Sequence, residues 1–223
     1  GLYHVGYRGM SSCVRQFGFN DSIPGELDGE PAYALLHNSP LAIAELSSGF
    51  NKKTRISPLF GAMIAGAVAA GGTMPVPHIV DSVVERSSGE RRYTAEPGEW
   101  RRAIKPQTAR TLHDLMSAVA RYGTARSAFR YVRGSDRFAR IDYGGKTGSV
   151  DEDSLGKIDW FVGYAVHPDD PSQRIAVGVV TVHGAFWTVH SSYLGAEMMR
   201  RYIRTVQIAA QQERRDRKKV SAG

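Results

Sequence analysis

Six consecutive residues, Gly144-Gly145-Lys146-Thr147-Gly148-Ser149, bring together groups that could hold a substrate. Lys146 supplies a positive charge. Thr147 and Ser149 supply hydroxyls on alternate positions of an extended segment. The glycines on both sides let a ligand lie close to the backbone. Such a set suits a ligand that carries a carboxylate next to an amide. A phosphate-binding reading of Gly145-Lys146-Thr147 fails on geometry. That loop needs a glycine five residues before its G-K-T, where Arg140 stands, and a helix after it, where a strand is expected.

The elements that must position this segment follow from pattern. Residues 159–165 and 174–183 read as the next two strands. They are joined by short polar turns at 151–156 and 168–172, and short connections favour antiparallel neighbours. Residues 175–182 are apolar on both faces, so helices are expected to cover both. A last helix over about 190–214 carries Leu194, Met198, Tyr202 and Val206 at i, i+4 spacing.

Earlier in the chain, residues 2–17 read as a helix with Val5, Cys13, Val14 and Phe17 as its apolar positions and Gly18 as its stop. Residues 20–31 are a loop, and 41–46 are expected to be a buried extended piece. Ser57-Pro58 is a helix start, with Ser as cap and Pro in the first turn, and Gly71-Gly72 ends that helix. Residues 79–85 and 91–94 flank Ser88-Gly89 as a hairpin. A helix from Pro106 to about Tyr122 has Leu112, Leu115, Met116 and Val119 as its stripe. Residues 127–140 are irregular or partly extended.

The triplet Lys146-Thr147-Gly148 is the K-T-G shared by penicillin-binding proteins and serine β-lactamases. Its context sharpens the resemblance. Residues 159–165, Asp-Trp-Phe-Val-Gly-Tyr-Ala, resemble the W-F-x-G-[YF] strand that follows K-T-G-[TS] in penicillin-binding transpeptidase domains. Ser57-Pro58-Leu59 leading to Gly71-Gly72 resembles their T-P-L…N-G-G element. Leu115-Met116 followed by Gly123-Thr124-Ala125 resembles their L-M…G-T-A element. The similarity runs from near the N-terminus to about Arg201 and leans to the class B type.

The resemblance implies an α/β fold of the α+β type, an antiparallel sheet covered by helices on both faces, here in part. It implies a D,D-transpeptidase acting by serine acylation on the D-Ala-D-Ala end of a peptidoglycan stem peptide, open to β-lactam antibiotics. By the same resemblance, Lys146 and Ser149 are the catalytic candidates, and Lys146, Thr147, Gly148 and Ser149 the substrate-binding ones. Lys146 and Thr147 would orient the substrate carboxylate and the catalytic network. Gly148 would allow close approach. The N–H of Ser149 would be an oxyanion donor and its hydroxyl a carboxylate contact. The family's usual Thr at that fourth position is here a Ser.

The nucleophile is the open point. Acylation of this kind uses a serine and a lysine three apart at a helix start, with backbone N–H groups holding the oxyanion. The one S-x-x-K string, Ser154 to Lys157, lies after K-T-G in an expected turn, and Gly156 argues against a helix there. No S-x-N occurs. The nucleophile is therefore expected from an upstream half of the same domain, and this chain alone is expected to be inactive. A non-catalytic scaffold module of a cell-wall complex, or part of a β-lactamase or β-lactam sensor, are the competing readings. No metal or organic cofactor is implied: no H-x-x-x-H pair occurs among the seven histidines.

Composition sets wider bounds. At 223 residues, 42% hydrophobic and 23% charged, the chain is one globular domain or most of one. We divide it into residues 1–213, the C-terminal part of the transpeptidase domain, and a basic tail at 214–223. A single cysteine, Cys13, excludes an internal disulfide framework. No run reaches the ~20 apolar residues of a membrane span, no signal peptide is evident, and Gly1 reads as mid-helix, as a fragment would. The resemblance places the intact protein on the periplasmic, extracytoplasmic face of the inner membrane. The net charge of +7 draws on the run at 214–219, which lacks the interleaved aromatics that nucleic-acid binding favours and reads as a solvated helix end.

Overall fold

The computed structural model describes residues 6–26, 29–51, 53–96, 98–130, 140–152, 154–184 and 186–220, in two compact units, Gly1–Ala109 and Arg110–Gly223.

In the first unit, helix α1 (Gly6–Phe17) stops at Gly18, whose φ of 84° is open to glycine. Val14 is its buried residue, and Val5 lies outside the described residues. Cys13 is exposed, against expectation. Neighbouring helical positions are 100° apart, and Val14 takes the inward one.

The segment 41–46 is not extended. It lies inside helix α2 (Pro40–Ser48). The reason is at its ends. The Ser39 hydroxyl accepts the Ala42 N–H at 3.3 Å, Pro40 fills the first turn, and Gly49 closes the helix in the left-handed region at φ 75°. Leu41, read as buried, is 70% exposed.

The same device starts helix α3 (Pro58–Ala69), where the Ser57 hydroxyl accepts the Phe60 N–H at 3.1 Å. This helix is buried, as its all-round apolar sequence requires. Phe60, Met63 and Ala67 form a core with Ile23, Ala32, Met74 and Ala103.

Strand β1 (Thr73–Pro75) follows. Strands β2 (Ser82–Val84) and β3 (Arg91–Thr94) form the expected hairpin, and β4 (Glu99–Arg102) pairs antiparallel with β1. Strand β2 is shorter than its apolar run. The N–H groups of Ile79 and Val80 donate instead to the Glu26 carboxylate, at 3.1 and 3.0 Å.

Helix α4 (Pro106–Arg121) begins in the last residues of the first unit. In the second unit, strands β5 (Asp142–Glu152), β6 (Gly156–His167) and β7 (Asp170–His183) form an antiparallel meander in the order β5-β6-β7. Helix α5 (Ser191–Val220) packs on one face through Ala196, Met199 and Ile203, against Phe161, Val177 and Val179. The α4 backbone lies on the other face, at Gly144. Cover over β7 is uneven: Val177 and Val179 are buried, whereas Val182 is 55% exposed.

Both helical stripes differ from the sequence reading. Leu194 and Met198 of α5 are exposed, and so is Leu115 of α4. The buried positions of α5 include Gly195, Ala196, Met199 and Ile203 instead. A methyl group at Gly195 would stand 2.4 Å from the Phe161 ring, so α5 approaches the sheet along its glycine and alanine side. The expected irregular segment 127–140 falls mostly on 131–139, outside the described residues.

Candidate active site

The six-residue segment lies in β5, with Lys146 opposite Val162, Thr147 opposite Phe161, Gly148 opposite Trp160 and Ser149 opposite Asp159. Alternation puts Thr147 and Ser149 on the α5 face and Lys146 and Gly148 on the α4 face. Among the described residues β5 pairs only with β6, so its outer edge is open.

The three glycines of the segment differ in what holds them. A Cβ on Gly144 would meet the Tyr164 hydroxyl at 2.6 Å and the Ser117 nitrogen at 2.8 Å. One on Gly145 would meet the Phe161 ring at 2.3 Å. Both are internal packing positions. Gly148 has no such neighbour; its Cβ would find only that of Trp160, at an ordinary 3.6 Å. The Phe161 ring, fully buried, lodges among Gly145, Gly163 and Gly195, which explains why a W-F-x-G strand accompanies a G-K-T-G strand.

The side chains of the site are tied into the unit. The Lys146 ammonium donates to the Thr147 carbonyl oxygen. The Thr147 hydroxyl meets that of Thr124 at 2.6 Å, which brings the G-T-A element to the K-T-G strand. The Ser149 hydroxyl donates to Asp159 Oδ1 at 3.4 Å. The other Asp159 oxygen accepts the Ser191 N–H at 2.8 Å and faces His190 Nδ1 at 3.3 Å. Asp159 is buried at 5% exposure, and it faces the first N–H groups of α5, where a carboxylate is favoured. Sequence reasoning gave Thr124 and Asp159 no role. Thr124 belonged to a matched motif, whereas Asp159 reads locally as an ordinary strand residue.

Two further networks support β5 and its neighbours. On the α4 side, His113 Nε2 meets Asp142 at 2.7 Å, its ring stacks on Tyr164, and the Tyr164 hydroxyl donates to the His113 carbonyl at 3.1 Å. Burial raises the Tyr164 phenol far above its usual pKa, so it stays a proton donor. At the end of β7, buried His183 accepts the Thr188 N–H on Nδ1 at 3.1 Å, which leaves Nε2 to donate to Thr181. Among the described residues no three His, Cys, Asp or Glu side chains gather as a metal would need.

The S-x-x-K string is not assembled as a nucleophile and base. It spans the turn between β5 and β6. The Ser154 N–H and hydroxyl both donate to Glu152, Gly156 has φ 87°, and Lys157 pairs with Asp151 at 3.4 Å.

Comparison with known proteins converges on one family. The family model described as penicillin binding protein transpeptidase domain matches residues 3–202. Penicillin-binding protein 1A of Neisseria gonorrhoeae is 29% identical over 174 residues, 75% of this chain and 18% of that protein. Peptidoglycan D,D-transpeptidase PbpA of Mycolicibacterium smegmatis is 26% identical over 139 residues, 62% of this chain and 26% of that protein. In fold, the imipenem acyl-enzyme complex of penicillin-binding protein A from M. tuberculosis matches with a TM-score of 0.69 at 21% identity, over 90% of this chain and 42% of that one. The chain thus spans less than half the length of each of these proteins. With the family model covering most of its residues, and its K-T-G strand, G-T-A element and W-F-x-G strand meeting in one sheet region, the chain belongs to the penicillin-binding protein transpeptidase family.

Proposed function

We propose that this chain supplies the substrate-holding wall of a peptidoglycan D,D-transpeptidase. The observation that carries the reading is the open edge of β5 at Lys146 to Ser149, with Gly148 free of internal packing while its two companions are not. An extended peptide can add to such an edge by main-chain hydrogen bonds. Lys146 and the hydroxyls of Thr147 and Ser149 then bind and orient the terminal carboxylate of a D-Ala-D-Ala stem peptide. The Ser149 N–H is an oxyanion donor. β-Lactams, which carry a carboxylate beside a strained amide, use the same wall; the solved relative from M. tuberculosis is an imipenem acyl-enzyme.

In this reading the attacking serine and its lysine come from residues other than these 223, in an upstream half of the same domain. That half also supplies a partner for the outer edge of β7, which is unpaired among the described residues. The intact protein works on the extracytoplasmic side of the inner membrane, with other cell-wall synthesis proteins as possible partners. Among the described residues no helix is long and apolar enough to cross a membrane.

The test is labelled penicillin and mass spectrometry. The full-length protein forms a covalent adduct on a serine outside residues 1–223, and residues 1–223 alone form none. An adduct on any serine of these residues, Ser154 included, overturns the assignment of the nucleophile.

A further inference from the structure

Asp159 is a buried carboxylate with two occupied oxygens and no place in the reaction described above. Its Oδ2 is held firmly, by the Ser191 N–H at 2.8 Å and by His190 Nδ1 at 3.3 Å. Its Oδ1 receives the Ser149 hydroxyl over a longer 3.4 Å. A serine hydroxyl has one proton to donate. While that proton points at Asp159, the Ser149 oxygen can only accept. A substrate carboxylate arriving at Ser149 must therefore take the proton from Asp159. It must also approach a second negative charge only one side chain away, on a carboxylate that is itself buried from solvent.

We propose that Asp159 is a specificity-determining, positioning residue. By competing for the single Ser149 proton, it weakens the wall's hold on ligands whose carboxylate is read at Ser149, β-lactams among them. The inference rests on the wall function proposed above. Asp159 acts through Ser149 and touches no substrate itself. The weaker bond lies on the Ser149 side, so the carboxylate stays with α5 and the hydroxyl is the partner that can turn. Asparagine inverts this arrangement. Its carbonyl oxygen can keep the Ser191 N–H, and its NH2 can donate to the Ser149 oxygen, which turns the Ser149 proton outward and removes the charge.

The experiment measures second-order acylation rates of the full-length protein by a penicillin and by its methyl ester. The variants are Asp159→Asn, Ser149→Ala and the two combined. Asp159→Asn is expected to raise the rate with the free acid by roughly tenfold, the scale of one charge-assisted hydrogen bond. It should leave the ester rate unchanged, and Ser149→Ala should erase the gain. A merely structural role for Asp159 would move acid and ester together, and downward. Equal changes with acid and ester, a loss with the acid, or a gain that survives in the double variant would each overturn the proposal while the wall function stands. A wild type that takes up no penicillin would overturn the wall function and this inference with it. Should Asp159→Asn not fold, as thermal unfolding would reveal, Asp159→Ser carries the same test. It is neutral and its side chain is too short to hold the Ser149 proton as the carboxylate does, and the same gain with the acid alone is expected.

Discussion

Residues 142–145 and 146–152 belong to one strand and pair with one neighbour, β6, in an unbroken register. The first stretch is closed. Tyr143, Gly144 and Gly145 are buried, with α4 backbone against one glycine and the Phe161 ring against the other. The second stretch is exposed apart from half-buried Thr147. The ladder is the same in both; the difference lies in what stands beside the strand. The same residue type, glycine, makes room for the protein's own side chains in the first stretch and leaves room for something else in the second. Stability should therefore depend on the first stretch and substrate handling on the second.

The largest effect should come from emptying the closed stretch. Phe161→Ala removes a fully buried ring from the slot formed by Gly145, Gly163 and Gly195. It should cost about 3–5 kcal/mol in denaturant unfolding. Overfilling the same slot comes next. Gly145→Ala places a methyl 2.3 Å from that ring and should cost about 1–3 kcal/mol. Phe161→Leu should recover part of that loss in the double variant, because a smaller side chain makes room for the methyl. Strict additivity of the two would show that they do not share a slot.

In the open stretch, Lys146→Ala should leave stability within about 0.5 kcal/mol, since it removes no packing. Acylation in the full-length protein should nevertheless fall by about a hundredfold or more, as when a charged hydrogen bond to the reacting group is lost. Unchanged acylation in the folded variant would sink the role given to Lys146. Gly148→Ala should be the mildest for the fold, because its methyl meets only an ordinary contact at Trp160. Stability should again shift by no more than about 0.5 kcal/mol, while the acylation rate drops as the edge of the strand becomes less accessible. A destabilisation as large as that of Gly145→Ala would erase the distinction between the two stretches.

Much of this was readable from residues near each other in the chain. The K-T-G strand, the two strands after it and the hairpin around Ser88-Gly89 rest on local alternation and turn chemistry. Ser57-Pro58 marks a helix start plainly, whereas the same two-residue signal at Ser39-Pro40 is masked by the apolar run behind it, which by itself suggests an extended piece where α2 stands. The helical stripes were misplaced for another reason. Large residues weigh most in a periodicity, but the close approaches to the sheet are made at Gly195 of α5 and by the α4 backbone at Met116 and Ser117, and only the shape of the partner reveals that. Nor could sequence separate Gly145 from Gly148, since the discriminating neighbour, Phe161, belongs to the next strand. Asp159 is the extreme case: its partner Ser191 is 32 residues away and arrives only when α5 returns to the sheet.

The meander that carries the proposed wall has a kinetic consequence. Strands β5, β6 and β7 are consecutive in the chain and joined by turns of a few residues, so each ladder can zip outward from a tight turn, one small loop at a time. Local contacts close small loops and form quickly. The wall can therefore assemble early in folding, as a template on which slower, longer-range pieces dock. Until the outer edge of β7 is covered, the same early sheet offers that edge to any other extended chain. If the upstream half proposed above covers that edge, the interval between closing the meander and covering the edge should set how much of the protein aggregates during folding, more than its final stability does.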